Sequence, residues 1–332
     1  MAAQGGPARI GSADIVSPPS TLPAARSRAL VIGHGSIGAR HARLLRELGL
    51  EVAVVSRRAQ QLPGAFPDIA AALAPGPADY AVVCTETSLH HQAVRSLRSA
   101  GFTGRILIEK PLGQAGEHVA EADFGAVRVG YHLRFDPILL ALREALQGCR
   151  PLTVEVRAAS WLPAWRAGRD YRATESASKA AGGGVLRDLS HELDYVTWLF
   201  GRWRRLTALG GYLGCLEIDS DEAFVLLAET ERCPVVTISL SYIEHGTEER
   251  WIAVSTAEGR SWRADFVAAT LSENGSIVQS ADPLALDAPY IAQHRAMLEA
   301  GDGCCSIGEA EEVVAMIAAA EAAVRDKGWV CR

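Results

Sequence analysis

Residues 28–58 read RALVIGHGSIGARHARLLRELGLEVAVVSRR, and this stretch decides the fold. It begins with a short apolar run, Ala29 to Ile32, which has the length of a buried strand. Leucines then recur at helical spacing as far as Gly49, and a second apolar run, Val52 to Val55, follows. The pattern predicts a strand–helix–strand unit of a parallel sheet.

Three glycines, Gly33, Gly35 and Gly38, lie between the first strand and the helix with the spacing G-x-G-x-x-G. In such a motif one glycine makes the tight turn, one lets the backbone approach a pyrophosphate, and one lets helix and strand pack closely. Free N–H groups at the helix N-terminus, at Ser36 and Ile37, favour the negative charge of the phosphates. Because the glycines lie between a strand and a helix, they predict a Rossmann domain that binds a dinucleotide.

The end of the second strand indicates which dinucleotide is bound. NAD-binding versions usually carry Asp or Glu about 20 residues past the glycines, where the carboxylate accepts from the ribose 2′-hydroxyl. Here that place holds Ser56, Arg57 and Arg58. Arginine can hold a 2′-phosphate with paired, charge-assisted hydrogen bonds. The alternative is a solvated basic turn. We therefore expect NADP(H) to be preferred, with NAD(H) possible.

Composition excludes several classes of protein. The net charge of −6 provides no basic field for nucleic acid or an anionic membrane, and no apolar run approaches the ~20 residues of a membrane helix. Seven cysteines without C-x-x-C spacing indicate reduced thiols in a cytoplasmic protein. We expect no metal.

The chain of 332 residues predicts two domains. Residues 1–27, rich in Ala, Gly, Pro and Ser, predict a disordered extension. Strands alternate with helices over residues 28–150, which predicts a Rossmann domain with a parallel, doubly wound sheet. Residues 151–332 carry alternating runs without long helices between them, which predicts an α+β domain for substrate binding and oligomerisation, with a large, mostly antiparallel sheet. The fold class is α/β.

Glu109-Lys110-Pro111 follows a predicted strand, Arg105–Ile108. Open α/β sheets bind ligands at the carboxyl ends of their strands, so we expect Lys110 to point into the cleft near the reacting oxygen. The alternative is a surface ion pair with Glu109, but neighbours on a strand point to opposite faces. Of 33 Lys and Arg residues only three are lysines. A lysine can exchange a proton, which arginine cannot. Pro111 is expected to fix the turn through a cis bond.

Asp188 and His191 follow three glycines, Gly182–Gly184, at the start of a helix predicted over Ser190–Phe200. Three residues apart on a helix, they would share a face. A histidine can take the proton from an alcohol as hydride leaves, or return it to a carbonyl, and Asp188 would orient the imidazole or raise its basicity. In the alternative, Asp188 or Ser190 only caps the helix. The glycines, which let backbone approach a ligand, favour a site.

Residues 161–172 form an aromatic and basic loop with three open interpretations. It is a lid that stacks aromatic rings on a sugar, an anion-binding patch, or a subunit interface, where Trp and Arg are enriched. Single-stranded nucleic acid also binds such residues, but the net negative charge argues against it. Five histidines show no ligand spacing and are predicted to be structural or solvent-facing: His34, His41, His132, His245 and His294.

The chain resembles the Gfo/Idh/MocA oxidoreductases. The matching motifs are G-H-G-S-I-G at 33–38, T-E-T-S-L-H at 85–90, E-K-P at 109–111 and G-G-G-V-L-R-D-L-S-H-E-L-D at 182–194. The resemblance implies a Rossmann domain followed by an α/β domain whose open sheet face often forms the oligomer interface, so we expect a homodimer or homotetramer. It also implies hydride transfer at a sugar or cyclitol carbon. The arginines of residues 161–172 indicate an anionic, nucleotide-linked or otherwise activated sugar as one class of substrate.

The resemblance implies roles for individual residues. Lys110 binds and polarises the reacting oxygen, His191 is the acid/base, and Asp188 supports them. Cofactor contacts are expected from Gly33, Gly35, Ser36, Ile37, Gly38, Ser56, Arg57, Arg58, Thr85, Glu86, His90 and Glu109. Substrate contacts are expected from Tyr131, Arg134, Trp161, Trp165, Arg166 and Arg172. Residues 161–172 resemble a branch of the family found in surface-polysaccharide and sugar-modification pathways.

Two departures from the family pattern matter. Asp188 and His191 are three residues apart instead of the more common four, which displaces one of the two roles. Glu86 replaces the proline that commonly follows Thr85, and its carboxylate either meets a cofactor ribose or faces solvent. Two other functions stay open: a non-catalytic dinucleotide sensor, which has no need of Lys110 and His191, or another reaction on this fold, such as tetrapyrrole or imine reduction or glycoside cleavage.

Overall fold

A computed structural model describes residues 27–332, except residues 115, 117, 120 and 247. The predicted disordered extension therefore lies outside the described residues, apart from Ser27. No described helix is long and apolar enough to cross a membrane.

The first half of the chain forms a six-stranded parallel sheet. Its strands are β1 (Arg28–Ile32), β2 (Glu51–Val55), β3 (Ala65–Phe66), β4 (Tyr80–Val83), β5 (Arg105–Ile108) and β6 (Ala126–Val129), in the order β3-β2-β1-β4-β5-β6. β1 and β4 are buried along their whole length, as expected for parallel strands covered on both faces. The strand order reverses between them, which places a ligand crevice at their carboxyl ends. The predicted Rossmann fold is confirmed.

Helices cover this sheet and part of the second one. Within the described residues they are α1 (Ser36–Glu47), α2 (Ile69–Leu73), α3 (His90–Ser99), α4 (Pro137–Ala145), α5 (Val185–Asp188), α6 (His191–Phe200), α7 (Ala288–Glu299) and α8 (Ile307–Asp326). The sequence pattern did not predict α4, which begins at Pro137 after Asp136 caps it by accepting from two backbone N–H groups.

The second sheet is large and mostly antiparallel, as predicted. Its strands are β7 (Pro151–Ala159), β8 (Trp203–Gly211), β9 (Ala223–Thr230), β10 (Val235–Ser241), β11 (Glu249–Thr256), β12 (Ser261–Asp265), β13 (Thr270–Glu273), β14 (Ser276–Ser280) and β15 (Val330–Cys331), in the order β14-β13-β12-β11-β7-β10-β9-β8-β15. Its one parallel pair among these strands is β7 with β10, because α5, α6, β8 and β9 lie between them in the chain. β13 and β14 form one edge of the sheet.

One face of this sheet is packed and the other is open. Leu193 of α6 and Val313 of α8 lie in the same core as Leu226 of β9 and Ile238 of β10. Burial alternates along β9, because successive side chains of a strand point to opposite faces. The outer face, as we call it here, exposes the apolar residues Leu209, Val225, Leu227 and Val235.

Helix α7 returns from the second half of the chain to the first sheet. Its His294 hydrogen-bonds Tyr80 of β4 and His41 of α1, and Cys305, just after it, pairs with Val129 of β6. The predicted boundaries at 28–150 and 151–332 stay a prediction, but residues from the second range complete the first sheet.

Candidate active site

A cleft of about 1120 Å³ lies at the carboxyl ends of the parallel strands and is closed on its other side by β7, α6 and β11. Many of the predicted site residues line it: Ser36, Ile37, Thr85, His90, Glu109, Lys110, Trp161, Trp165, Arg166, Asp188 and His191. The structure therefore brings the E-K-P segment, the histidine of the later helix and the aromatic loop to one place.

The three glycines of the first turn have the separate roles that the motif predicts. Gly33 has φ +97°, and a Cβ there would overlap the Cys84 carbonyl. A Cβ at Gly38 would overlap the Gly33 carbonyl. A Cβ at Gly35 would meet nothing within 4 Å. Gly33 and Gly38 are thus required by the chain itself, whereas Gly35 leaves open space that a pyrophosphate fits.

Helix α1 begins beside this space. Gly35 is its N-cap, so no side chain satisfies the first N–H groups, and no acidic residue lies in the first turn. Free N–H groups and the helix dipole together favour an anion. The Oγ1 atom of Thr85, across the crevice, is buried without a hydrogen-bond partner among the described residues. These features fit the phosphate and ribose groups of a dinucleotide.

The glycines provide a matched pair of variants. We expect Gly35→Val to weaken NADPH and NADH binding by about tenfold or more and to leave the melting temperature unchanged, because its side chain fills only the ligand space. Gly38→Val lowers the melting temperature instead, because overpacking costs roughly 1–3 kcal/mol. Fluorescence titration measures cofactor affinity, and thermal unfolding measures the melting temperature. Wild-type cofactor affinity in Gly35→Val would contradict this assignment.

The two arginines after β2 form hydrogen bonds with other residues of the chain. Arg57 donates to Glu86 across 2.9 Å, and Arg58 donates to the His34 carbonyl across 3.1 Å. The Ser56 hydroxyl accepts from the Arg58 backbone N–H. Glu86 therefore meets Arg57 here, and its carboxylate holds that guanidinium at the edge of the crevice.

His90 is a structural element of the cleft wall. Its buried ring lies between two carbonyl oxygens, with Nε2 3.1 Å from that of Thr85 and Nδ1 3.0 Å from that of Pro111, and the N–H of the neutral ring donates to one of them. The ring thus joins the loop after β4 to the loop after β5, where Lys110 and Pro111 are linked by a cis peptide bond.

Lys110 reaches across the cleft from the end of β5. Its Nζ donates to the backbone carbonyl of Asp188 at 2.5 Å. An ammonium has three donors, so this bond orients the group and leaves two donors for a ligand oxygen. The surface ion pair with Glu109, the alternative weighed from the sequence, is not formed.

Glu109 is held from the opposite side by a buried series of hydrogen bonds, the Glu109 chain (Glu109, His41, His294 and Tyr80). Its three contacts measure 2.9 Å from Glu109 Oε1 to His41, 2.8 Å from His41 to His294, and 2.9 Å from His294 to the Tyr80 hydroxyl. An ionised carboxylate only accepts, so His41 donates to it, His294 donates to His41, and Tyr80 donates to His294. The Glu109 chain thereby fixes the carboxylate beside Lys110.

Asp188 and His191 do not share a helix face. Asp188 ends α5 and His191 begins α6, because Leu189 departs from helical geometry between them with ψ 33°. The Asp188 carboxylate accepts from the Tyr242 hydroxyl at 2.5 Å. The prediction that Asp188 orients the imidazole is thus not met by this geometry. Asp188 instead positions Lys110 through its carbonyl oxygen.

His191 lines the cleft and is 3% exposed. Burial lowers its pKa well below the usual value, and the positive charge of Lys110 and Arg250 acts in the same direction. The imidazole is therefore neutral at pH 7 and able to accept a proton.

The triple glycine packs against the chain and not against a ligand. A Cβ at Gly182 would crowd Thr87, one at Gly183 would overlap the Glu175 carbonyl, and one at Gly184 would overlap the Asp221 carboxylate. The expectation of a close backbone approach to a ligand was therefore wrong here. The glycines let this turn fit against the loop after β4 and against the segments that carry Glu175 and Asp221.

Two predicted substrate contacts, Tyr131 and Arg134, lie outside the cleft lining. Arg134 is 3% exposed, and its guanidinium binds Asp194 in a bidentate pair and Glu309 at 2.8 Å. The Tyr131 hydroxyl is buried and donates to Ser190 at 3.4 Å. The structure assigns both side chains to internal packing.

The aromatic loop divides into two parts. Trp161 and Trp165 line the cleft, the first against the His245 ring and the second with its Nε1 donating to Ser160. Arg166 also lines the cleft, and none of the described carboxylates pairs with it. Arg172 lies outside the lining and is bound by two exposed carboxylates, Asp170 and Glu217.

Sequence reasoning missed four residues of the cleft: His132, Glu175, Arg250 and Tyr290. Arg250 forms a bidentate pair with the buried Glu192, at 2.7 and 3.1 Å. Glu175 accepts from the Thr87 N–H, and burial raises its pKa. His132 lies three residues after the end of β6, as Lys110 lies two residues after the end of β5, and this position near a strand end is the signal that could have found it. No group of three or more His, Cys, Asp or Glu side chains in the described part of the chain is placed to hold a metal.

Comparisons with known proteins agree with this geometry. Residues 27–130 match the profile described as an oxidoreductase family with an NAD-binding Rossmann fold, and residues 149–261 match the GFO/IDH/MocA C-terminal domain. No curated protein matches the sequence.

Several solved structures share the fold over nearly the whole chain. GenD2 from gentamicin A biosynthesis, in complex with NAD, is 22% identical, with a TM-score of 0.78, over 96% of this chain and 99% of that one. The UDP-N-acetylglucosamine 3-dehydrogenase GnnA from Acidithiobacillus ferrooxidans is 22% identical, with a TM-score of 0.72, over 91% and 98%. Levoglucosan dehydrogenase in complex with NADH is 17% identical, with a TM-score of 0.75, over 92% and 99%.

Proposed function

The chain belongs to the Gfo/Idh/MocA oxidoreductase family, and from this premise we propose that it transfers hydride between a nicotinamide dinucleotide and a CH–OH carbon of a sugar or cyclitol. The proposal rests on one observation, which is that Lys110 and His191 line the same cleft, beginning at the glycine turn. The neighbours named for sugar dehydrogenation, and those that hold NAD or NADH, support it.

In this proposal the bound nicotinamide supplies the hydride acceptor or donor, and the chain manages the oxygen and its proton. Lys110, fixed by the Asp188 carbonyl, donates to the reacting oxygen and stabilises the negative charge that develops there. His191 takes the hydroxyl proton when the alcohol is oxidised and returns it when the ketone is reduced. Trp161 and Trp165 stack on the apolar face of the sugar, and Ser36 and Ile37 hold phosphate through their backbone N–H groups.

We further propose that the cofactor is NADP(H), with Arg57 and Arg58 on the 2′-phosphate. The absence of a carboxylate among residues 56–58 and the alignment of Arg57 by Glu86 support this. We expect Arg57→Ala/Arg58→Ala to weaken NADPH binding by roughly ten- to 100-fold, because hydrogen bonds to charged groups contribute about 1.5–3 kcal/mol. NADH binding changes little, since NADH lacks the phosphate.

Fluorescence titration of wild type and variant with NADPH and NADH tests the proposed cofactor. Arg172→Ala, which removes an arginine outside the cleft, is the matched control. Tighter binding of NADH by the wild type would overturn the NADP(H) assignment and keep the fold. Binding of neither cofactor would contradict the proposed function.

The substrate and the assembly are proposed more broadly. A nucleotide-linked or otherwise activated sugar is one class of substrate, supported by Arg166, which lines the cleft without an ion-pair partner among the described residues. We propose a homodimer or homotetramer formed through the outer face, whose exposed apolar side chains are typical of interfaces. All seven cysteines are unpaired, which supports the expected reducing, cytoplasmic location.

A further inference from the structure

His132, which the sequence predicts to be structural or solvent-facing, lines the cleft. It follows β6 and packs between two aromatic neighbours. On one side it stacks on Tyr290 of α7, with ring centroids 3.8 Å apart and planes inclined by 20°. On the other side it meets His191 edge to face, with centroids 4.4 Å apart. The two imidazoles thus form a contact pair in the cleft that also holds Lys110.

The ring nitrogens of this pair are not used by the chain. The Nδ1 atoms of His132 and His191 are both buried without a hydrogen-bond partner. No described residue hydrogen-bonds their Nε2 atoms either, and both histidines line the cleft. In many acid–base sites a carboxylate fixes the imidazole tautomer, but the Asp188 carboxylate is taken by Tyr242. Two imidazoles with free nitrogens therefore face the same ligand space.

Positive charge surrounds the pair. Lys110 and Arg250 act on both rings, and Arg40 acts on His132 as well, while Tyr131 and Tyr290 provide aromatic contacts. Burial and these charges lower the pKa of each histidine well below its usual value. Both rings are neutral at pH 7 and can accept, and two imidazolium ions in ring contact would repel each other. The pair therefore takes up one proton well before a second.

We propose that His132 is a second substrate-contacting imidazole, which accepts a hydrogen bond from the hydroxyl next to the reacting carbon while His191 acts on the reacting hydroxyl itself. The substrate class is then a ring with a vicinal diol, because adjacent hydroxyl groups lie at a spacing that two imidazoles in contact can reach together. This inference rests on the proposed function for the role of His191. It adds a residue and a substrate requirement.

The first test uses the protein alone. Ring ¹⁵N NMR follows the protonation of each histidine with pH in wild type and His132→Asn. The variant removes the group that competes for the proton, so we expect the midpoint of His191 to shift to higher pH. The control His118→Asn, which changes an exposed histidine far from the cleft, leaves it unchanged. An unshifted midpoint in His132→Asn would overturn the pairing.

The second test uses D-glucose and 2-deoxy-D-glucose with the NADPH-bound protein. The deoxy sugar lacks the hydroxyl that neighbours both C1 and C3. We expect 2-deoxy-D-glucose to bind the wild type roughly tenfold more weakly than D-glucose, because it leaves the His132 acceptor nitrogen unpaired. For the same reason, 2-deoxy-D-glucose should not move the His132 Nε2 resonance. In His132→Phe, which keeps a ring against Tyr290, the two sugars bind equally.

Equal binding of both sugars by the wild type, or a His132 resonance that neither sugar moves, would overturn the substrate contact. If His132 is purely structural, His132→Phe weakens the binding of both sugars equally and lowers the melting temperature. Failure of the proposed function is recognised separately, because it shows as absent NADPH and NADH binding, while the pH titration is read without any ligand.

Discussion

Lys110→Met should lower turnover by roughly 10³-fold or more and leave NADPH affinity within about twofold of wild type. Methionine has a similar length and no charge, so it removes the donor to the reacting oxygen while it keeps the packing. The ammonium is not part of the phosphate-binding turn, and His90 and the Glu109 chain hold the surrounding loops independently of it. Steady-state kinetics and cofactor titration measure the two effects.

Two further lysine variants make this test specific. Lys179→Met changes an exposed lysine and should behave as wild type. Lys110→Arg keeps the charge but not the compact, proton-exchanging ammonium, and should also lose most activity. Unchanged turnover in Lys110→Met would exclude a role for this residue in the chemistry. Loss of NADPH binding together with a lower melting temperature would indicate misfolding.

Arg134→Met is expected to lower the free energy of unfolding by about 3–5 kcal/mol. The guanidinium is the partner of Asp194, which is 1% exposed, and it also binds Glu309 at the start of α8. Burial raises the pKa of Asp194, and Arg134 opposes that change. Removal of the arginine leaves a buried carboxylate without its counter-charge, which is the costly way to break such a pair.

Urea unfolding of Arg134→Met beside Arg172→Met measures this effect. Both arginines are expected from the sequence to contact substrate, but Arg172 is bound only by exposed carboxylates, so its variant should unfold at the wild-type midpoint. If Arg134→Met is as stable as the wild type and has a raised KM, the result supports the substrate contact that the sequence predicts for Arg134.

The difference between the two arginines shows where sequence reasoning reaches its limit. The Rossmann sheet was predictable because the glycine turn and the apolar runs are local signals. Lys110 was predictable because a strand end fixes its place. The partners of Arg134 are 60 and 175 residues away, and no local pattern reports such a pair.

Some local sequence patterns do not correspond to the structure that they predict. The three-residue spacing of Asp188 and His191 indicates a shared helix face only if the helix is continuous, and the break at Leu189 removes that premise. In the same way, the glycines at 182–184 match a ligand turn in sequence, but their close neighbours come from residues 87, 175 and 221. His132 lies near the end of a strand, but it has no metal-ligand spacing with other histidines, so the sequence pattern alone does not indicate a site there.

The return of α7 to the first sheet has a consequence for biosynthesis. His41 and Tyr80 are translated more than 200 residues before His294, the side chain that pairs with both of them. A nascent chain that ends before Ala288 leaves both groups in the nucleotide-binding half without their partner. That half can therefore reach its final state only after α7 has been synthesised, and a fragment cut between the two sheets should not substitute for it.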